Sequence, residues 1–262
     1  MNIKDLTTPL QLGYIGGNFE QLVKEAIHTK MGHAEFMSDA FSKELEHRRE
    51  NRVTRRIREA KFPYKKYLVD IDLNEYAKEV RSDIEELMQL DFINNKENVI
   101  MIANSGKGKT HLAIGLGVAA CMADIRVLFT NVPNLVIELK EAMSRNAVTA
   151  FRRKFQKYEL VIIDELGYVS FDAEGCDILF NLISNRLDAG SMIITTNLEF
   201  KEWVSVFKDK HLTAALADRV ARRAYVMDMS GSSYRFKETK NWLKEKGKLN
   251  EDDTGKKESN SP

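Results

Sequence analysis

The chain has 262 residues, with 40 lysines and arginines against 39 aspartates and glutamates and a formal net charge of +1. That length holds one substantial core plus a smaller appendage. The near-neutral balance excludes a nucleic-acid surface made by overall charge excess and leaves local segregation as its source. No apolar run approaches the length that spans a bilayer, and no membrane partner is expected.

In chain order, residues 1 to about 60 carry no strand signal and read as helices. Met1-Asn2-Ile3-Lys4-Asp5 has no apolar stretch behind it, so a secretory leader is not expected and the reading is cytoplasmic. Phe41, Leu45, Val53 and Ile57 recur at spacings of four or eight, which makes one apolar stripe on an otherwise basic helix. Between residues 43 and 66 the basic side chains greatly outnumber the acidic ones, and from Asp70 to Glu97 the sign reverses. Phe62-Pro63 stops the basic helix, because proline disfavours a helical residue before it. The acidic stretch from Asp70 to Leu90 has some helical periodicity.

From Asn98 onward, short apolar runs alternate with longer amphipathic segments. The runs are Val99–Ile102, Val127–Phe129, Leu160–Ile163, Met192–Ile194 and Tyr225–Met227. This is the pattern of a parallel sheet covered on both faces, hence an α/β fold. Cys121 and Cys176 sit in apolar helical patterns and read as reduced core residues, since no CxxC pair points to a metal or redox site. The polar, charged tail from about residue 246 reads as disordered.

The strongest chemical signal is Ala103-Asn104-Ser105-Gly106-Lys107-Gly108-Lys109-Thr110, directly after one strand and opening a helix. Phosphates need several backbone N–H donors at close range, which Gly106 and Gly108 permit. The helix start aims its free N–H groups at the same anion. Lys109 supplies a cation for the β- and γ-phosphates of ATP, and the Thr110 hydroxyl is placed to hold Mg²⁺. Asn104, Ser105, Lys107 and His111 complete the expected nucleotide-binding set. Lys107 suits phosphate or DNA, and no catalytic role is assigned to His111. Ala103 stands where this loop pattern has its first glycine, which is tolerable at negative φ.

The second signal is Leu160–Ile163 ending in Asp164-Glu165. Two carboxylates ending a buried strand are costly without a cation or hydrogen bonds. Asp164 fits a Mg²⁺ ligand acting through water, and Glu165 fits the group that orients or deprotonates an attacking water. Asn197, after the Thr195-Thr196 strand end, suits holding that water or the γ-phosphate.

In this order the motifs resemble those of the AAA+ P-loop ATPases. Gly108-Lys109-Thr110-His111-Leu112-Ala113, Asp164-Glu165-Leu166-Gly167-Tyr168, Ile193-Ile194-Thr195-Thr196-Asn197 and Ala214-Ala215-Leu216-Ala217-Asp218-Arg219 are similar to the helicase-loader and IstB-like branch. The Arg48–Pro63 stretch is similar to the N-terminal signature of the IstB-like proteins, the helper ATPases of insertion-sequence transposition. The resemblance runs from about residue 40 to 240. It implies an arginine finger acting on a neighbouring subunit, aligned to Arg223 with Arg219 and Arg222 as rivals, hence a homo-oligomer dependent on ATP and DNA. Ser233-Tyr234-Arg235 resembles the second sensor, which places Arg235 on the subunit's own nucleotide.

Two basic regions suit DNA. One is the helix from Arg48 to Arg58. The other is the helical insert before the Asp-Glu strand, with Lys140, Arg145, Arg152, Arg153 and Lys154, which the resemblance favours. The expected domains are a basic helical one at 1–64, an AAA+ ATPase at 65–245 and a tail at 246–262. The expected function is ATP-dependent assembly on duplex DNA that presents a target site to a transposase. Delivery of a replicative helicase to DNA is the alternative.

Overall fold

The structure, a computed structural model, describes residues 2–167, 172–187 and 189–229. The chain divides into two compact units, Met1–Arg58 and Glu59–Pro262. The first contains α1 (Ile3–Thr7), α2 (Gly13–Thr29) and nearly all of α3 (His33–Glu59). Its core is Ile15, Leu22 and Ala40, with Leu12, Tyr14, Phe19 and Phe36 packed against them.

α2 opens on Leu12, which has no side chain able to cap it. Glu44 of α3 does so instead, accepting the N–H groups of Tyr14 at 2.9 Å and Ile15 at 3.0 Å. The Arg48 Nε donates to the same carboxylate at 2.9 Å. The packed face of α3 therefore runs through Phe36, Ala40 and Glu44. The Phe41–Leu45 part of the stripe lies outward, 44% and 66% exposed.

In the second unit, helices cover a five-stranded sheet. Two 3-10 turns, Leu68–Asp70 and Leu73–Glu75, precede α4 (Lys78–Leu87) and α5 (Asp91–Asn94). Then come β1 (Asn98–Ile102), α6 (Lys109–Met122), β2 (Val127–Asn131), α7 (Val132–Ser144) and α8 (Val148–Gln156). The remainder is β3 (Leu160–Leu166), α9 (Ala173–Arg186), β4 (Ser191–Thr196), α10 (Val204–Phe207), α11 (Lys210–Ala221) and β5 (Ala224–Asp228). The five strands coincide with the five apolar runs. All pair in parallel, in the order β2-β3-β4-β1-β5.

Parallel strands need both faces covered, and β3 and β4 are buried almost throughout. Ile100, Val161, Ile163, Met192 and Ile194 form one face and pack with Leu135, Leu139, Leu179, Ile183, Trp203 and Leu216. The alternate residues face the other way, where Ile162 meets α6. Ala60 accepts the Phe129 N–H at 2.8 Å, so the β2 edge is partly covered.

Arg186 is wholly buried. Its Nη2 donates to the Glu159 carbonyl at 3.0 Å, and its Nη1 faces the carbonyls of Phe155 and Gln156 at 3.5 Å. Burial lowers its pKa to about 10, so it stays cationic and ties the end of α8 to the start of β3. The strand order sets the carboxyl ends of β1, β3 and β4 side by side. In open α/β sheets a ligand crevice forms there, where the strand order reverses.

Candidate nucleotide-binding site

At that crevice lies a cleft of about 390 Å³, lined by Ser105 to His111, Asp164, Glu165, Thr195, Thr196 and Asn197. Pro63, Tyr64, Phe129 and Asn131 complete its wall. The volume is within the ordinary range for small-ligand sites.

The glycine-rich loop joins β1 to α6. Gly106 (φ 83°) and Gly108 (φ 81°) both adopt left-handed backbone, which an L-residue resists. A Cβ at Gly108 would also stand 2.7 Å from the Tyr76 hydroxyl. Ala103, where the loop pattern has a glycine, is buried and is not among the residues of positive φ, so its methyl group is accommodated. Gly108 is the N-cap of α6 and contributes no side chain there. An α-helix leaves its first N–H groups without intrahelical partners, and these border the cleft. The Lys109 ammonium donates to the loop carbonyls of Ala103 at 2.6 Å and Asn104 at 3.0 Å. Asn104 itself is exposed and lies outside the cleft lining. His111 stands edge-on to Tyr64, ring centroids 5.4 Å apart, which accounts for its place in the wall.

Asp164, only 5% exposed, accepts hydrogen bonds from two hydroxyls. Thr110 Oγ1 donates at 3.0 Å and Thr195 Oγ1 at 2.5 Å. The shorter of the two, from Thr195, is in the range of a hydroxyl bonded to a carboxylate. Thr195 Oγ1 in turn accepts the Glu165 N–H at 3.0 Å. Glu165 has φ 64°, and its side chain is exposed beside the cleft. A left-handed non-glycine residue costs about 1–2 kcal/mol, and such residues cluster at functional sites. Gly167 (φ 102°) closes the turn against Leu198, whose Cδ1 would lie 2.4 Å from a Cβ there.

Thr110 and Asp164 together suit a Mg²⁺ ion that arrives with phosphate. Magnesium takes one or two carboxylates plus waters and phosphate oxygens, in place of an all-protein cage.

The loop, Thr110, Asp164, Glu165 and Asn197 thus meet in one cleft. Arg223 does not join them. Its carbonyl accepts the Asn98 N–H at 2.7 Å, at the amino ends of β1 and β5. β1 has 5 residues, so at about 3.3 Å per residue its two ends stand roughly 13 Å apart. Arg219, Arg222 and Arg223 are all exposed at the end of α11. Ser233, Tyr234 and Arg235 lie outside the described residues, as does the tail.

Of the basic insert, Lys140 pairs with Asp172 at 2.5 Å and Arg145 with Glu141 at 3.8 Å. Arg152, Arg153 and Lys154 are exposed on α8. Thr195 was not legible as a site residue in the sequence. A hydroxyl at a strand end reads as β propensity, and only the register of β4 against β3 reveals its partners.

The family model "IstB-like ATP binding protein" matches residues 6–241 of the chain. A protein named as ATP-binding in insertion sequence IS232 of Bacillus thuringiensis subsp. berliner is 32% identical over 238 residues, covering 90% of this chain and 95% of that one. Its counterpart in insertion sequence IS21 of Pseudomonas aeruginosa is 31% identical, covering 89% and 88%. Among solved structures, AMPPCP-bound DnaA from Aquifex aeolicus superposes with a TM-score of 0.56 at 18% identity, covering 72% of this chain and 58% of that one. DnaI superposes with a TM-score of 0.53 at 20% identity, covering 65% and 90%. Those two likenesses carry the fold, an AAA+ P-loop domain. The match over nearly the whole chain carries the family: this protein belongs to the IstB-like ATP binding proteins.

Proposed function

We propose that the protein hydrolyses ATP to control its assembly on duplex DNA, and that in this state it presents target DNA to a transposase. The observation that carries the reading is the cleft itself. A phosphate loop, the hydroxyl–carboxylate pair Thr110–Asp164, and an exposed Glu165 held in a left-handed turn all face the same space.

In this reading the loop N–H groups and Lys109 hold the β- and γ-phosphates. Thr110 and Asp164 hold Mg²⁺, which when bound neutralises charge on the phosphate oxygens. Glu165 takes the proton of the attacking water, and Asn197 orients that water or the γ-phosphate. Arg223 stands at the far end of β1 from its own loop, so its contribution fits a neighbouring copy's site, which makes the active form a homo-oligomer. Arg235 is assigned to the nucleotide of its own subunit.

Arg152, Arg153 and Lys154 face DNA phosphates, with Arg145 beside them. Lys140, already held by Asp172, contributes less. The relatives named for insertion sequences support a transposase as the partner.

The test is a competition between duplex and single-stranded DNA of equal length at fixed salt, with and without ATP, followed by ATP turnover with added transposase. The reading expects duplex preference, dependence on ATP and faster turnover with transposase. A clear single-strand preference, or tight binding to a replicative helicase ring, would replace it with a helicase-loader reading.

A further inference from the structure

We infer that Thr195 is a positioning residue for hydrolysis, through which one hydroxyl fixes both carboxylate residues of the site. The inference rests on the proposal that this cleft hydrolyses ATP. β3 and β4 pair regularly up to Ile163 opposite Ile194, and the next pair is Leu166 opposite Thr196. Two residues of β3, Asp164 and Glu165, therefore stand opposite one residue of β4, Thr195. This is the geometry of a bulge, which takes its extra residue out of the ladder and re-aims the side chains there.

The displaced Glu165 N–H still needs an acceptor, since a buried amide without one is costly. Thr195, 1% exposed, supplies it through Oγ1 at 3.0 Å. The same oxygen donates its own proton to Asp164 Oδ1 at 2.5 Å. A hydroxyl can do both at once, and neither a methyl nor a carboxylate can. One side chain thus holds Glu165 in the left-handed turn that presents its carboxylate to the cleft, and holds the Asp164 carboxylate while Thr110 remains available to a metal.

Thr195→Val keeps the shape of the side chain and removes both bonds, whereas Thr195→Ser keeps both. Wild type, the two variants, Glu165→Gln and the Glu165→Gln/Thr195→Val double variant are compared by ATP turnover. A fluorescent ATP analogue is titrated against each with and without Mg²⁺.

Turnover of Thr195→Val should fall on the order of 100-fold at saturating ATP, the scale expected when a reacting group is misplaced by about an ångström. Its metal-free nucleotide affinity should match wild type, while the gain in affinity that Mg²⁺ brings should shrink. Thr195→Ser should restore most of the turnover. Because part of the Thr195 effect runs through Glu165 and part through Asp164, the double variant should lose less than the product of the two single losses. If Thr195→Val does not fold, Thr195→Ala should give the same pattern.

Wild-type turnover in Thr195→Val, a Ser variant as slow as Val, or a double variant as slow as the full product of the two single losses would each overturn the inference while leaving the hydrolysis reading in place. Absence of turnover in the wild type would overturn the hydrolysis reading itself, and this inference with it.

Discussion

Lys109 and Glu165 border the same cleft, and the proposed function gives them different steps, so their substitutions should separate. Lys109→Ala removes one charged hydrogen-bonding partner from bound phosphate and should weaken ATP binding by about 10- to 100-fold. Glu165→Gln leaves the loop intact and removes the proposed general base, so ATP should bind normally while turnover drops by about 10² to 10⁴. Nucleotide titration and single-turnover kinetics on both variants check this, and wild-type turnover in Glu165→Gln would remove Glu165 from the mechanism. The two residues were legible in the sequence because each belongs to a short contiguous motif. The left-handed turn at Glu165 was not, because it arises from the bulge between β3 and β4, and strand register is a tertiary property. Lys140 and Asp172 stand 32 residues apart, so the ion pair that occupies Lys140 was equally invisible.

At the scale of elements, α3 is a 27-residue helix whose sequence advertises Phe41 and Leu45, yet its packed face carries Glu44. A carboxylate caps the uncapped start of α2 from across the helix pair, and no apolar periodicity reports such an arrangement. Burial alone would raise the Glu44 carboxyl. The N–H bond from Ile15, the Arg48 guanidinium and the N–H bond from Tyr14 together outweigh it and hold the group below its ordinary value.

A carboxyl lowered in the folded state stabilises above its unfolded pKa, and that contribution is lost as pH falls through the folded value. Glu44→Gln should therefore destabilise the protein by about 1–3 kcal/mol at pH 7, the scale for buried donors left poorly matched. Denaturant unfolding of the full chain from pH 7 down to pH 3 should show the wild-type advantage shrinking, and an advantage that grows on acidification would refute the assignment.

The basic helix α8 makes a separate prediction. Replacing Arg152, Arg153 and Lys154 with Ala should flatten the log–log salt dependence of duplex binding by about 0.9 for each DNA phosphate that is no longer neutralised, with ATP binding unchanged. An unchanged slope would leave these residues as a solvated face.

For the whole molecule, the inner strands β1, β3 and β4 were readable because parallel strands buried on both faces carry continuous apolar runs. The edge strands β2 and β5 were readable because shorter apolar runs stand in the same alternation with helices. Their order was not readable, since the placing of β4 between β1 and β3 depends on packing that no local pattern encodes. That order has a functional consequence. It gathers the loop, Asp164, Glu165 and Asn197 at the carboxyl ends of the strands, and it leaves Arg223 at the amino ends of β1 and β5, with Arg219 and Arg222 at the end of α11 just before it. Under the proposed function, a chain folded this way would carry most of one hydrolytic site and the finger for another, so turnover should rise with protein concentration and with duplex DNA.

The most direct measurement is ATP turnover of Arg223→Ala and Lys109→Ala proteins, each alone and mixed at several ratios on duplex DNA. At ATP concentrations well below the weakened affinity of Lys109→Ala, each alone should be nearly inactive. The first lacks the arginine finger, worth about 10³ to 10⁵ in rate in other P-loop enzymes, and the second has its own loop unfilled. Mixing should restore turnover at hybrid interfaces, where an intact loop meets an intact Arg223, with a maximum at intermediate ratios. No recovery at any ratio would contradict a site shared between copies through Arg223.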